Sequence, residues 1–471
     1  MSRAENRTVF LPSWPVSLLF FFFGLILSHP ALGQSNDQNS TQLAAEATAD
    51  APRPTQKTNV EASAEALPTL KGCIKGLPDE VDTVLVAFVL KGQLRIKQQV
   101  HLHRGCFELP WTHPERGLFI LYVDPEHSID FLLTDADIEF SGHYEKWDRF
   151  EVKGAGQQEF RQFKTDYTAL QKDIAAGTQP SEAAQQLVES LSDVHLKAFL
   201  LPQWLPMTPD TNVFWLRSHF WDHTDLESAS TLINPFFEGN RNLYFEQVLG
   251  HDPDTIIHYL DALLQRPLEP RVKRVLVSYA TYHYEGSSYM GEDEVFVWLV
   301  KKFYKTGYAD WVKGNDLSDI IEKADGLATE LLGNPAPDFA FNTSDSSRMK
   351  LSEVESPITL LWFWDSTCGH CKRQTPKLKA LYDEYKDRGV EVVAITLENE
   401  FTSWNRYIEE HELDWINGFE SNFDRPNFLW YYYIPSTPKL LVLDEDKRII
   451  AKRLDIETTL RTFLDDHLPK E

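Results

Sequence analysis

The sequence has few cysteines. Only four stand among its 471 residues: Cys73, Cys106, Cys368 and Cys371. A structural zinc site needs four ligands, usually as two close pairs, and here only the last two cysteines are closely spaced. The cysteine pattern therefore disfavours zinc, and we expect neither a metal nor a cofactor.

Basic residues are also in deficit. The chain has 46 Lys and Arg against 71 Asp and Glu, which gives a formal net charge of −25. Nucleic acids and anionic membranes bind positively charged protein surfaces. The acidic balance therefore argues against both as partners.

The apolar stretch near the start is too short to span a bilayer comfortably. Residues 16–27 are apolar and follow Arg3 and Arg7, whereas a spanning helix needs about 20 apolar residues. Ala31-Leu32-Gly33, a small-x-small cleavage site, completes the pattern of a signal peptide over residues 1–33. We expect an exported protein, most simply in a periplasm and soluble after cleavage; an uncleaved anchor is the alternative.

Composition predicts three domains after this segment. Residues 34–66 contain hardly any large apolar side chains, which predicts a disordered linker. Residues 67–155 contain short segments spaced like the strands of an antiparallel β-sandwich. Residues 156–330 take on helical periodicity, which predicts an all-α domain, and residues 331–471 form the last, α/β part of this multidomain chain.

The motif Cys368-Gly369-His370-Cys371 is the strongest chemical signal. The apolar run ITLLWFW at 358–364 predicts a buried strand before it, and residues 375–382 have helical spacing after it. Both sulfurs should then lie near a helix N-terminus, where free N–H groups and the helix dipole stabilise a thiolate. A low-pKa thiolate with a second thiol three residues further on is typical of thiol–disulfide exchange.

Four segments carry a resemblance to a known family. Residues 363–372 resemble the active-site segment of the thioredoxin fold, and residues 333–339 (GNPAPDF) resemble the entry motif of its TlpA-like and peroxiredoxin-like branch. Residues 434–440 resemble the cis-proline loop, and residues 440–450 supply the following hairpin. The chain thus resembles the TlpA-like thiol–disulfide oxidoreductases of Bacteroidota, which carry two extra N-terminal domains. This resemblance implies a C-terminal thioredoxin-like fold over residues 331–471.

Peroxiredoxins are the neighbouring family. They place Pro and Thr at fixed offsets before one peroxidatic cysteine. The corresponding positions here hold Leu361 and Asp365, and a partner cysteine, Cys371, stands three residues after Cys368. Both differences favour disulfide exchange over peroxide reduction.

The resemblance implies roles for individual residues. Cys368 would attack a substrate disulfide, and Cys371 would resolve the mixed disulfide. Pro438 would be cis, and the Thr437 backbone would pair with a bound substrate strand. The implied partners are proteins with disulfides or mixed disulfides, and a membrane or periplasmic electron donor.

His370 and two departures from the family pattern bear on the chemistry. A cationic His370 beside the thiolate would make the disulfide more oxidising than that of a thioredoxin with Gly-Pro between its cysteines. Many TlpA-like proteins have Glu three residues after the second cysteine, where this chain has Gln374, and thioredoxins have a buried Asp where it has Trp362. Glu398 is a candidate proton acceptor by position alone.

Other residues leave alternatives open. In an oxidising compartment, Cys73 and Cys106 would form a structural disulfide or remain two buried thiols. His219 and His223 share a helical spacing that could face a metal, but no third ligand is obvious. Substrate reduction is the favoured direction; oxidation or isomerisation, or a partner-binding scaffold with an ancillary redox site, are the alternatives.

Overall fold

The computed structural model describes residues 67–90, 93–175, 186–203, 212–345, 347–397, 401–419 and 431–468. The predicted signal peptide and linker lie outside these residues, as does Glu398. Within them, no helix combines the length and the apolar character needed to cross a membrane. The chain divides into two compact units, one running to Gly250 with Asp261–Leu276 added, the other made of His251–Leu260 and Val277–Glu471.

The described part of the first unit contains two four-stranded sheets. Their strands are β1 (Thr69–Lys75), β2 (Thr83–Leu90), β3 (Gln93–His101), β4 (Cys106–Pro110), β5 (Gly117–Asp124), β6 (His127–Leu133), β7 (Ile138–His143) and β8 (Glu151–Lys153). One sheet has the order β4-β1-β7-β8 and the other β3-β2-β5-β6. Leu70 and Ile74 alternate with exposed residues on β1, and both join a core that also contains Phe131 and Phe140 from β6 and β7. The two sheets therefore share one core, as in a sandwich.

One pairing departs from the predicted antiparallel arrangement. β1 and β7 are parallel, whereas the other pairings of these eight strands are antiparallel. After β4 the chain forms β5 and β6 in the other sheet, and it returns as β7 on the free side of β1. A crossover connection of this kind allows the returning strand to run parallel to its neighbour, whereas a short hairpin joins antiparallel strands.

Helices follow the strands. They are α1 (Gln157–Ala175), α2 (Val194–Leu200), α3 (Val213–His219), α4 (Phe237–Leu243), α5 (Pro253–Gln265), α6 (Pro270–Glu285), α7 (Asp293–Leu299) and α8 (Asn315–Ala328). Short 3-10 helices lie at Tyr144–Arg149, Leu201–Gln203 and Ala229–Ile233, and π-helical turns extend α4 at Tyr244–Val248 and α7 at Val300–Tyr304. On α1, Phe160, Phe163 and Tyr167 recur at helical spacing and pack with Phe199 of α2. The predicted domain limits at 67–155, 156–330 and 331–471 stay predictions.

A seven-stranded sheet dominates the second unit. Its strands are β9 (Ala340–Thr343), β10 (Arg348–Lys350), β11 (Ile358–Trp364), β12 (Val390–Thr396), β13 (Ile416–Phe419), β14 (Lys439–Leu443) and β15 (Ile449–Lys452), in the order β10-β9-β13-β12-β11-β14-β15. Among the described residues after β10, the helices are α9 (Gly369–Tyr385), α10 (Phe401–Glu410) and α11 (Thr459–His467), with 3-10 turns at Leu351–Glu353 and Lys386–Arg388. All seven residues of β11 are buried, as expected for a central strand whose apolar run does not alternate.

The sheet register positions the motif. β11 pairs with β14 in antiparallel fashion, and Phe363 lies opposite Lys439, the first residue of β14. The segment just before β14 therefore lies beside the turn that follows β11. That turn contains Cys368, and the segment before β14 contains Thr437 and Pro438.

Candidate active site

The two cysteines stand at the start of α9. Cys368 is the N-cap residue, with φ −68° and ψ 124°, and Cys371 lies in the first helical turn. Cys371 begins the buried stripe of the helix, which continues through Thr375, Leu378, Leu381, Tyr382 and Tyr385. The helical period thus turns Cys371 into the core, where its exposure is 0%, while Cys368 stays half-buried.

The loop before β14 lies against Cys368. The Thr437–Pro438 peptide bond is cis, and the Sγ atom of Cys368 lies 3.5 Å from the carbonyl oxygen of Thr437. A thiol can donate to this oxygen, but a thiolate cannot. The carbonyl contact therefore belongs to the protonated form of Cys368.

Other groups stabilise the Cys368 thiolate. A hydrogen bond from the Thr437 side chain, followed by one from the Cys371 backbone N–H, lowers the pKa of Cys368 to about 7. The backbone N–H of His370 contributes in the same direction. These amides are the free donors of the first helical turn, so the site combines a helix start with a threonine hydroxyl. The Cys368 thiol is consequently about half ionised at neutral pH.

Cys371 has the opposite character. Burial raises the pKa of its thiol to about 11, because charge is costly in the apolar core. The neighbouring Cys368 acts in the same direction, while the backbone of Asp365 partly offsets both. One sulfur is thus accessible and readily ionised, and the other is enclosed and protonated. This asymmetry suits one cysteine to attack and the other to resolve.

The remaining predicted residues lie around this pair in different ways. The His370 side chain is exposed at the helix start. Gln374 is half-buried, and its Oε1 atom is buried without a hydrogen-bond partner among the described residues. The same holds for Nε1 of Trp362, whose side chain is 2% exposed. Gln374 and Trp362 line a common cavity of about 570 Å³, which Pro438 also borders.

Two buried ion pairs in that cavity were not predicted from the sequence. Glu330 pairs with Lys439, and Asp293 pairs with Lys452. The carboxylate side chains of both pairs are 1% exposed. Neither acid lies near the Cys-x-x-Cys motif in the sequence, so no local pattern could identify them. Only the position of Lys439, directly after the cis-proline, offered a signal.

The structure bonds Cys73 to Cys106. The two residues lie directly opposite each other on β1 and β4, and 33 positions separate them in the sequence. Cys73 occupies an outward-facing position of β1, between the buried residues Gly72 and Ile74. The bridge therefore lies on the outer face of its sheet.

The histidine pair at i, i+4, His219 and His223, contacts surrounding protein groups. The His219 ring stacks on Trp215 with 4.4 Å between centroids, and its Nδ1 atom lies 2.8 Å from the Trp215 carbonyl oxygen. Burial lowers the pKa of His223. Across the described ranges, no cluster of three or more His, Cys, Asp or Glu residues is arranged to hold a metal ion.

Comparisons with known proteins concern mainly the last third of the chain. The AhpC/TSA family model matches residues 332–456. Thiol-disulfide oxidoreductase ResA of Oceanobacillus iheyensis is 28% identical over 144 residues, which are 30% of this chain and 74% of that protein. ResA of Geobacillus kaustophilus is 26% identical over 138 residues, 29% of this chain and 76% of that protein.

Parts of this chain are also similar to solved structures. A domain of a "possible thiol-disulfide isomerase" from Cytophaga hutchinsonii is 36% identical, with 29% of this chain and 92% of that chain covered and a TM-score of 0.28. A "thioredoxin-like protein" from Bacteroides caccae is 17% identical, with 56% of this chain and 98% of that chain covered and a TM-score of 0.46.

Proposed function

We propose that this chain, a thiol–disulfide oxidoreductase whose residues 332–456 belong to the AhpC/TSA family, reduces disulfides of exported proteins in a periplasm. The observation that carries the proposal is the asymmetry of its two thiols. Cys368 is half-buried with a pKa of about 7, while Cys371 is enclosed with a pKa of about 11. An exchange enzyme needs this division between an attacking thiolate and a resolving thiol.

The reaction has two exchange steps. The Cys368 thiolate attacks one sulfur of the substrate disulfide, forms a mixed disulfide and releases the other substrate sulfur as a thiolate. Cys371 then loses its proton and attacks Sγ of Cys368, which releases the second substrate thiol. The substrate has gained two electrons, and Cys368 and Cys371 are left as a disulfide. A membrane or periplasmic electron donor would return the pair to the dithiol.

Three residues have roles around these steps. Thr437 would meet a bound substrate strand through its backbone, since an extended peptide can pair with an exposed edge. Pro438 has no N–H and holds the cis bend that brings Thr437 beside Cys368. Gln374 lies near the resolving thiol but cannot titrate, so Cys371 would lose its proton to water or another group.

The pKa of Cys368 supports the reducing direction. A value of about 7 resembles the value of about 7 typical of thioredoxin, which is a reductant, rather than that of the strong oxidant DsbA, about 3.5. A less stable thiolate corresponds to a dithiol that gives up its electrons more readily. A better stabilised thiolate would instead favour oxidation or isomerisation of substrates.

The export pathway and the domain plan belong to the same proposal. A signal peptide at 1–33 would direct the chain to a periplasm, and a linker at 34–66 would lead to the β-sandwich domain at 67–155. A helical domain at 156–330 and the thioredoxin-like domain at 331–471 complete the plan. The Cys73–Cys106 disulfide supports an oxidising compartment, because such bonds persist there.

Insulin reduction tests the activity. The purified chain from residue 34 onward should reduce insulin with dithiothreitol as the electron source, and Cys368→Ser should abolish this. The Cys73→Ser/Cys106→Ser variant is the matched control, because it also removes sulfur atoms but should keep the activity. Full insulin reduction by Cys368→Ser would contradict the assignment.

Direction and location need separate measurements. Equilibration of the dithiol with glutathione should give a potential nearer to thioredoxin, about −270 mV, than to DsbA, about −120 mV. A value near −120 mV would point to oxidation of substrates. Fractionation of cells expressing the full chain should recover it in the periplasm, and recovery in the cytoplasm would contradict the proposed location.

A further inference from the structure

The segment that leads into the cis-proline is held through the backbone of one residue, Tyr433. The Tyr433 N–H donates to Oε1 of Glu330 over 2.6 Å. The Tyr433 carbonyl oxygen accepts from Nζ of Lys439, also over 2.6 Å. Lys439 Nζ pairs in addition with the second carboxylate oxygen of Glu330. Glu330, Lys439 and the Tyr433 peptide groups therefore form a closed ring of hydrogen bonds, which we term the Tyr433 clamp.

The clamp is largely shielded from solvent, so it differs from an ordinary surface contact. The Glu330 side chain is 1% exposed and that of Lys439 is 17% exposed. Burial raises the pKa of Glu330 and lowers the pKa of Lys439, each opposed by the charge of the other. Removing one member alone would leave the other without its charge partner in a poorly solvated site, which is more destabilising than removing both. The two side chains therefore hold each other in place.

Helix α8 packs closely against Tyr433. Gly326 lies so near Tyr433 that a methyl group on Gly326 would stand 2.8 Å from Cβ of Tyr433. Real carbon atoms do not approach this closely, so any larger residue at this position would push Tyr433 away. Gly326 and Glu330 lie at and just beyond the C-terminal end of α8. Both precede residue 332, where the match to the AhpC/TSA family begins.

The clamp is connected to the reactive thiol by a short path. Three residues separate Tyr433 from Thr437, and Lys439 stands two residues beyond Thr437. The clamp therefore fixes the chain on both sides of the Thr437–Pro438 bond. Thr437 is the residue whose side chain stabilises the Cys368 thiolate and whose carbonyl oxygen lies 3.5 Å from Sγ.

We propose that Glu330 and Lys439 are positioning residues, which hold Thr437 against Cys368 by clamping the backbone of Tyr433. Part of the active-site geometry is thus supplied by a buried acid outside the segment that matches the family. Neither residue touches the substrate or the sulfurs in this role. The inference rests on Cys368 being the reactive thiol, as in the proposed function.

The test is the pH dependence of Cys368 alkylation by iodoacetamide, in a Cys371→Ala background that leaves one free thiol. Glu330→Leu/Lys439→Met removes both charges together, so neither is left unpaired, and it also removes both side-chain hydrogen bonds to the Tyr433 peptide groups. Its Cys368 pKa should rise from about 7 toward that of an ordinary thiol, about 8.5. Alkylation at pH 7 should then be roughly fivefold slower or more, with little change at pH 10.

A second variant perturbs the clamp without touching a charge. Gly326→Ala should displace Tyr433 and raise the Cys368 pKa, while the higher helix propensity of Ala helps the variant fold. Gly239→Ala is its control, since a methyl group on that helical glycine meets nothing within 4 Å. Glu285→Leu/Lys323→Met is the control for the charge pair, because it removes another ion pair that borders the same cavity.

The clamp is supported if both test variants raise the Cys368 pKa and both controls leave it unchanged. It is overturned if either test variant folds, by circular dichroism, and keeps the wild-type pH profile. If a variant changed the free energy of unfolding but not the pH dependence of Cys368 alkylation, Glu330 and Lys439 would have only a structural role, and the proposal would be wrong. Alkylation needs no protein substrate, so failure of the clamp and failure of insulin reduction are separate results.

Discussion

The Sγ atom of Cys368 lies 3.5 Å from the carbonyl oxygen of Thr437, although 69 positions separate the two residues in the sequence. The sheet brings the two residues together. Because β11 and β14 are antiparallel neighbours, the turn that follows β11 lies beside the loop that precedes β14. The reactive thiol thus has two sources of stabilisation, the start of α9 and the threonine before the cis-proline.

The threonine hydroxyl can be tested apart from the loop. Thr437→Val keeps the shape and the carbonyl oxygen but removes the hydroxyl, which is the largest influence lowering the Cys368 pKa. The pKa should rise above 7, and insulin reduction at pH 7 should slow as the thiolate fraction falls. Thr437→Ser retains the hydroxyl and should behave like the wild type. Equal pH profiles for the valine and serine variants would rule out the hydroxyl.

His370 offers a backbone amide and an imidazole, and two variants separate them. His370→Pro removes both, and proline is tolerated in a first helical turn. The thiolate should lose stability, so the reduction potential should become more negative by tens of millivolts, where about 30 mV corresponds to roughly 1.4 kcal/mol. His370→Ala keeps the amide that lowers the Cys368 pKa and should shift the potential less. A glutathione titration in which neither potential moves would assign His370 no tuning role.

Gln374 is the position for restoring an acid. Gln374 belongs to the active-site helix, and its Oε1 atom is already buried. The carboxyl group of Gln374→Glu should therefore have a raised pKa and could accept a proton near neutral pH. Resolution of the mixed disulfide by Cys371 should then become faster, by up to about a hundredfold. Ala380→Glu makes the same change, from neutral to −1, at an exposed position of the same helix and should leave this step unchanged.

Stopped-flow measurement against pH distinguishes the outcomes for Gln374→Glu. Faster resolution with unchanged attack by Cys368 is the expected result. Slower attack instead would mean that the new carboxylate repels the Cys368 thiolate. No response in either step would place residue 374 too far from the sulfurs to matter.

The Cys73–Cys106 disulfide should contribute to stability but not to catalysis. It closes a loop of 33 positions, for which loop entropy predicts roughly 3 to 4 kcal/mol. Cys73→Ser/Cys106→Ser should increase amide hydrogen exchange in β1 and β4, because local opening becomes easier. Cys73→Ser alone should have the same effect. Unchanged exchange in both variants would show that the hydrogen bonds of these strands suffice.

The redox motif and its surroundings were predictable because the signals are local. The apolar run at 358–364 is observed as β11, and the helical spacing after Cys371 as α9. The family match confirms the predicted thioredoxin-like domain at the C-terminal end. The strand and helix signals lie within about ten residues of the motif, where their periods are easily recognised.

Long-range arrangements could not be read in the same way. The parallel pairing of β1 with β7 depends on where the chain returns after visiting the other sheet. Glu330 looks like an ordinary helix-end acid in the sequence, and only the fold brings it to Tyr433 and Lys439. Trp362 was recognised as a departure from the thioredoxin acid, but the cavity it shares with Gln374 was not foreseen.

The most direct test of the division of labour between the cysteines is mass-spectrometric mapping of the mixed disulfide. Reduced Cys371→Ala protein, mixed with a disulfide-linked peptide at pH 7, should accumulate a stable adduct on Cys368. Cys368→Ala protein should form almost none, because burial keeps Cys371 protonated with a pKa of about 11. An adduct that forms on Cys371 as readily as on Cys368 would contradict the account.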